Sequence, residues 1–76
     1  MKDKFLLELY DDEGIIISTS VFKSYRAIAL KTGIDYHNVR TIHQINIKEI
    51  DPIYLHKTLK RLTKKVKILD MPILLI

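Results

Sequence analysis

Runs of alternating apolar and polar residues give way along the chain to apolar residues spaced three and four apart, and the change of period divides it into elements. Phe5-Leu6-Leu7-Glu8-Leu9-Tyr10 and Ile15-Ile16-Ile17-Ser18-Thr19 are rich in aliphatic, aromatic and β-branched residues, with Asp11-Asp12-Glu13-Gly14 between them. That pattern predicts a β-hairpin over residues 1–20. Gly14 suits the left-handed position of such a turn, and the three carboxylates read as a solvated loop because they lack the ligand repeat of a calcium site. In the first strand Phe5, Leu7 and Leu9 point one way, Leu6 and Tyr10 the other.

Beyond the hairpin the period is helical. Ser24 is a good N-cap for a helix with the inward stripe Tyr25, Ile28, Ala29 and Thr32, and with Phe22 packing just outside it. Gly33 ends that helix. Asp35 caps a second, and Ile34 and Val39 have the spacing of a hydrophobic staple, so Val39 and Ile42 are its expected buried positions. Ile45, Ile47 and Ile50 alternate with polar residues in a connector that needs no regular structure. Asp51-Pro52 then predicts the start of a third helix over residues 51–65, carrying Leu55, Leu59, Leu62 and Val66 on one side. Residues 66–76 form a strand-like tail interrupted by Asp70 and Pro72. The expected fold class is α+β in a single domain over residues 1–76: an N-terminal β-hairpin, three helices with a helix-turn-helix over residues 24–44, and a C-terminal strand available to the hairpin's sheet.

Composition narrows the function classes. A chain of 76 residues buries only about 60% of its unfolded surface, yet 47% of its residues are hydrophobic and only two are glycine. Some apolar surface is therefore expected to meet a partner, and a homodimer formed through the strands, with the apolar tail Met71, Ile73, Leu74, Leu75 and Ile76 contributing, is the expected one. With no cysteine, neither disulfides nor a thiolate zinc site are available. The apolar run after Met1-Lys2-Asp3-Lys4 is too short for a signal peptide or membrane span, so a soluble protein is expected inside the cell, in cytoplasm or nucleoid, or in a host cell if viral. Charge is unevenly placed: residues 1–22 sum to −3 and residues 23–76 to +7. One face is thus suited to a polyanion.

A helix-turn-helix requires a small residue where its helices touch, a glycine in the turn and apolar residues holding down the second helix. Counting Tyr25 as the first of twenty positions, Ile28 and Ala29 fall at four and five, Gly33 at nine, Ile34 at ten, Val39 at fifteen and Ile42 at eighteen. The stretch Ser24 to His43 resembles the helix-turn-helix of phage and bacterial regulators. With Leu9 to Gly14 and Phe22-Lys23-Ser24 included, residues 5–44 are also similar to the hairpin plus helix-turn-helix module of intron-encoded homing endonucleases. No nuclease motif accompanies the resemblance, so no nuclease activity is implied.

The resemblance implies double-stranded DNA as partner, with the second helix in the major groove. Carried over by position, Tyr36, His37, Arg40, Thr41 and Gln44 would contact bases, Arg40 being suited to guanine and Gln44 to adenine. A basic stripe of Lys57, Lys60, Arg61 and Lys64 on the third helix is the candidate for phosphates. His37 and His43 project from different sides of one helix, so no metal is expected. No base, orienting acid and oxyanion site occur together, so no enzyme is expected either. Nothing points to a cofactor or small-molecule ligand. The expected function is a small transcriptional regulator of a phage, virus or mobile element. The alternative is a structural or interaction protein, such as a minor virion component, that uses the same unit for assembly.

Overall fold

The computed structural model describes residues 3–71, and the last five residues of the expected tail, 72–76, lie outside the described residues. Two antiparallel strands, β1 (Phe5–Tyr10) and β2 (Ile16–Phe22), precede α1 (Tyr25–Thr32) and α2 (Tyr36–Lys48). A 3-10 turn (Pro52–Tyr54) leads to α3 (Lys57–Lys65), which passes directly into β3 (Val66–Asp70). The sheet order is β2-β1-β3 with β1 antiparallel to both neighbours. The α+β architecture expected from the sequence is therefore present, including the C-terminal strand in the hairpin's sheet.

The hairpin loop is built by its own carboxylate. Asp11 Oδ1 accepts from the backbone N–H groups of Glu13 and Ile15 at 2.9 and 3.0 Å, and Gly14 takes φ 81°. One extra residue in β2 makes a bulge against Leu9 and Tyr10, so Ile16 stands opposite Tyr10 while Ser18 stands opposite Leu9.

Direct pairing puts Leu7 beside Ser20 on one side and Ile68 on the other. This face is covered by helices. Leu7, Ile28, Val39, Ile42, Val66 and Ile68 form the core, with Phe5, Leu9, Phe22, Tyr25, Ala29, Ile34, Leu59 and Leu62 packed around it. The inward stripes expected for the first two helices are thus the observed ones. On the opposite face the Tyr10 hydroxyl donates to Glu8 at 2.9 Å. Partial burial, that hydrogen bond and the carboxylate charge together hold the phenol above its ordinary pKa of 10.0.

Two expectations need correction. The connector after Gln44 is helical: α2 runs on to Lys48, and Ile45 is buried. Ile45 lies three residues after Ile42 and continues its stripe, so the alternation Ile45, Ile47, Ile50 is a helical pattern seen over too short a window. The helix stops at Glu49, which adopts φ 53° and ψ 44°, a conformation usually left to glycine.

The third helix begins at Lys57 instead of Asp51. Asp51 does cap a turn, accepting from Ile53 N at 3.0 Å, but Leu55 is extended and the turn ends there. Ile53 and Tyr54 are 70% and 83% exposed, so no packing repays a continuation. His56 then starts α3 without a side-chain cap. Val66, assigned to the stripe of this helix, is the first residue of β3 and is buried from the sheet side.

No helix among the described residues is long and apolar enough to cross a membrane. The two helix ends make a paired prediction. Gly33 has φ 76° with open space where a Cβ would stand, so Gly33→Ala should cost about 1 kcal/mol through backbone strain alone. Glu49→Gly should instead stabilise by up to about 1 kcal/mol, the relieved strain outweighing the entropy glycine adds. Urea titration of both variants checks this, and a loss of stability in Glu49→Gly would refute it.

Candidate nucleic-acid interface

The unit formed by α1, α2 and their three-residue turn is held by local bonds. Ser24 Oγ accepts from Ala27 N at 3.1 Å. Gly33 N donates to Ala29 O at 2.9 Å. The Thr32 hydroxyl donates to Ile28 O and accepts from Ile34 N, at 2.8 and 3.2 Å. Asp35 Oδ1 accepts from His37 N at 2.9 Å, and its carbonyl accepts from Val39 N at 3.0 Å. With Ile28, Val39 and Ile42 fully buried beneath this chain of caps, the orientation of α2 is set from both ends.

What α2 leaves outside is the set of residues expected to meet bases. Tyr36, His37 and Arg40 are exposed, and Thr41 and Gln44 are half-buried. Tyr36, Arg40 and Gln44 are spaced by four and share one face, which Ile47 and Lys48 continue. The Thr41 hydroxyl donates to His37 O at 2.9 Å, so its proton is engaged within the helix and it offers an acceptor and a methyl group.

Beside this face is a group that sequence reasoning missed. Lys4, Lys23 and Arg26, with Phe5, Ser24, Tyr25 and Tyr36, line an open cleft of about 510 Å³ where the starts of α1 and α2 meet β1. Three cations converge there, and among the described residues no carboxylate lines the cleft. Lys23 and Arg26 flank the Ser24 cap in sequence, which was the available signal. Lys4 comes from the neighbouring strand end, where its N–H donates to Phe22 O at 2.9 Å.

The basic stripe on α3 has different surroundings. Lys57 is exposed and Lys60 half-buried. Arg61 and Lys64 line a groove of about 380 Å³ with Lys65 and the hairpin residues Asp11, Asp12 and Glu13. Lys65 Nζ lies 3.3 Å from Asp12 Oδ1. The groove adjoins the Tyr10 end of β1 and the basic cleft the Phe5 end, so the two cationic groups are separated by the length of that strand.

A polar relay supports the cleft from below. Tyr25 Oη lies 2.7 Å from His43 Nδ1, and His43 Nε2 lies 2.7 Å from Asp70 Oδ1. In the tautomer that carries its proton on Nε2, His43 donates to Asp70 Oδ1 and accepts the Tyr25 O–H at Nδ1. His43 is 5% exposed. Phe5 stacks on Tyr25 at 4.8 Å between centroids and meets the His43 ring edge-on at 5.0 Å, while Tyr36 meets Tyr25 edge-on at 6.0 Å. The first turns of α1 and α2, the start of β1 and the end of β3 are thereby joined. His37 and His43 do lie on different sides of α2, one exposed and one buried, and among the described residues no group of three or more His, Cys, Asp or Glu could hold a metal ion.

Removing the Tyr25 hydroxyl leaves the buried His43 Nδ1 without its donor, so Tyr25→Phe should cost about 1–3 kcal/mol. Asp70→Asn should cost far less, because the Asp70 side chain is 66% exposed and an amide oxygen still accepts from Nε2. Chemical denaturation of the two variants checks the order; equal losses would show that the relay is not anchored at Tyr25. No protein-family model, curated protein or solved structure matches this chain.

Proposed function

We propose that this chain binds double-stranded DNA by laying α2 in the major groove, and that it works as a small regulator of a phage, virus or mobile element without catalysing a reaction. The observation that carries this reading is that the caps and buried residues of the helix-turn-helix hold α2 while leaving Tyr36, His37 and Arg40 exposed and Gln44 half-exposed on its outer side. Arg40 is the residue for guanine and Gln44 for adenine.

The phosphates adjoining that groove are given to Lys4, Lys23 and Arg26, whose cleft shares Tyr36 with the exposed face of α2. Arg61 and Lys64 are a second choice, since the hairpin carboxylates already face them. A structural or interaction role remains the alternative reading, and the exposed Ile17 and Val21 on the uncovered side of the sheet favour it.

Selection of a preferred duplex followed by mobility-shift titration separates the roles. Arg40→Ala should weaken the preferred site by about 1–3 kcal/mol and random DNA much less. Lys23→Ala and Arg26→Ala should weaken both alike, each lowering the slope of log affinity against log salt by about one. All three side chains are exposed, so circular dichroism should be unchanged. Undiminished discrimination in Arg40→Ala would overturn the groove assignment.

A further inference from the structure

The cleft at the starts of α1 and α2 holds rings as well as cations: Phe5, Tyr25 and Tyr36 line it beside Lys4, Lys23 and Arg26. The backbones that carry the cations are fixed. Lys4 N donates to Phe22 O at 2.9 Å and Lys4 O accepts from Met71 N at 3.0 Å, Lys23 follows the last residue of β2, and Arg26 stands in the first turn of α1. All three side chains are exposed. Phe5 and Tyr25 are half-buried and stacked on each other at 4.8 Å. Tyr36 differs from both. It is 51% exposed and meets Tyr25 at 83° between ring planes, so it is not stacked parallel on that ring.

The phosphates of a closed duplex call for cations alone, because the bases are stacked inside and present no face to a side-chain ring. Cations joined to an open aromatic ring are instead the combination that holds an unpaired nucleotide, the phosphate on the charges and the base on the ring. The volume suits one such unit: about 510 Å³ lies within the roughly 300–1,000 Å³ of small-molecule sites. Three acids stand nearby without lining the cleft. Asp3 precedes Lys4 in the chain; Asp35 turns Oδ1 to His37 N at 2.9 Å; Asp70, opposite Phe5 on β3, has Oδ1 at 2.7 Å from His43 Nε2.

We propose that this cleft is a binding site for a single nucleotide unit, its phosphate held by Lys4, Lys23 and Arg26 and its base stacked on Tyr36. Two sources present that chemistry: an unpaired nucleotide extending from a DNA duplex, and a free nucleoside monophosphate. Every base has a face that can stack, so the site accepts purines and pyrimidines alike. The site itself does not require the DNA-binding reading; the first of its two sources rests on it.

Calorimetric titration with adenosine monophosphate, adenosine and inorganic phosphate tests the site. The monophosphate is expected to bind more tightly than inorganic phosphate by the worth of one stacked base, about 5- to 150-fold. Tyr36→Leu should bring the monophosphate down to the level of inorganic phosphate, and Tyr36→Phe, which keeps the ring, should bind it like the wild type. Arg26→Ala should weaken both anions. Circular dichroism of each variant checks the fold. A wild type that binds neither anion, or both equally, overturns the site, as does Tyr36→Leu with undiminished affinity for the monophosphate. The source is read by mobility shift of a blunt duplex against the same duplex with a short single-stranded extension. An extension that tightens binding in the wild type and Tyr36→Phe but not in Tyr36→Leu assigns the site to unpaired DNA. A bound monophosphate with no gain from the extension assigns it to the free nucleotide. A protein that binds the monophosphate and shifts neither DNA overturns the DNA-binding reading and supports the site alone.

Discussion

Everything in this small domain depends on α2 lying across the sheet. Val39 and Ile42 press from α2 onto the core that Leu7 and Ile68 raise from the two paired strands, and Ile28 of α1 closes the gap; Ile28, Val39, Ile42 and Ile68 are completely buried. Each such side chain contributes about 1.5–3 kcal/mol, which is a large share of the stability available to a domain of this size. Because a helix is held by one stripe, the same contact releases its other side. The face left open to solvent and the face that makes the core are two consequences of one packing choice.

Apolar contact alone does not choose the angle and depth at which α2 sits, since hydrophobic burial has no direction. Polar bonds add direction. His43 reaches from the middle of α2 to Tyr25 of α1 and Asp70 of β3, and Asn46 Oδ1 accepts from the backbone N–H of Ile68 at 2.8 Å. Both side chains lie on the sheet-facing side of α2, and each meets a partner more than seventeen residues away in sequence. Sliding α2 along the sheet would break these bonds and leave the buried His43 without partners, a cost of the same order as losing a core methyl group.

Charge follows the same division of the molecule. At one end of β1 Lys4, Lys23 and Arg26 line the cleft, with Asp70 opposite Phe5 on β3; at the other the acidic hairpin loop lies against Arg61, Lys64 and Lys65. The loop thus offsets part of the positive charge that the second half of the chain carries, and the net charge of +4 understates how strongly one end is basic. A polyanion approaching the molecule is directed to the cleft and the adjoining face of α2.

The sequence by itself determined the features governed by near neighbours: the hairpin and its Gly14 turn, the caps at Ser24 and Asp35, the stop at Gly33, and the inward stripe through Ile28, Val39 and Ile42. These depend on spacings of two to four residues, which the chain carries openly. The reach of α2 beyond Gln44 and the break at Leu55 were not legible. Helix ends without a glycine or an unopposed proline are decided by what packs against the next turn, and Ile45 finds the core whereas Ile53 and Tyr54 find solvent. Tertiary structure alone decided that β3 pairs with β1, that Lys4 joins Lys23 and Arg26, that His43 is buried between Tyr25 and Asp70, and that Ile17 and Val21 of β2 face outward while Phe22 packs on the core. Each of these joins residues far apart in the chain, or depends on which face of a strand the helices cover. The physical reason is common to all: local sequence sets the period of an element, but which side of it is inside depends on the element that arrives to cover it.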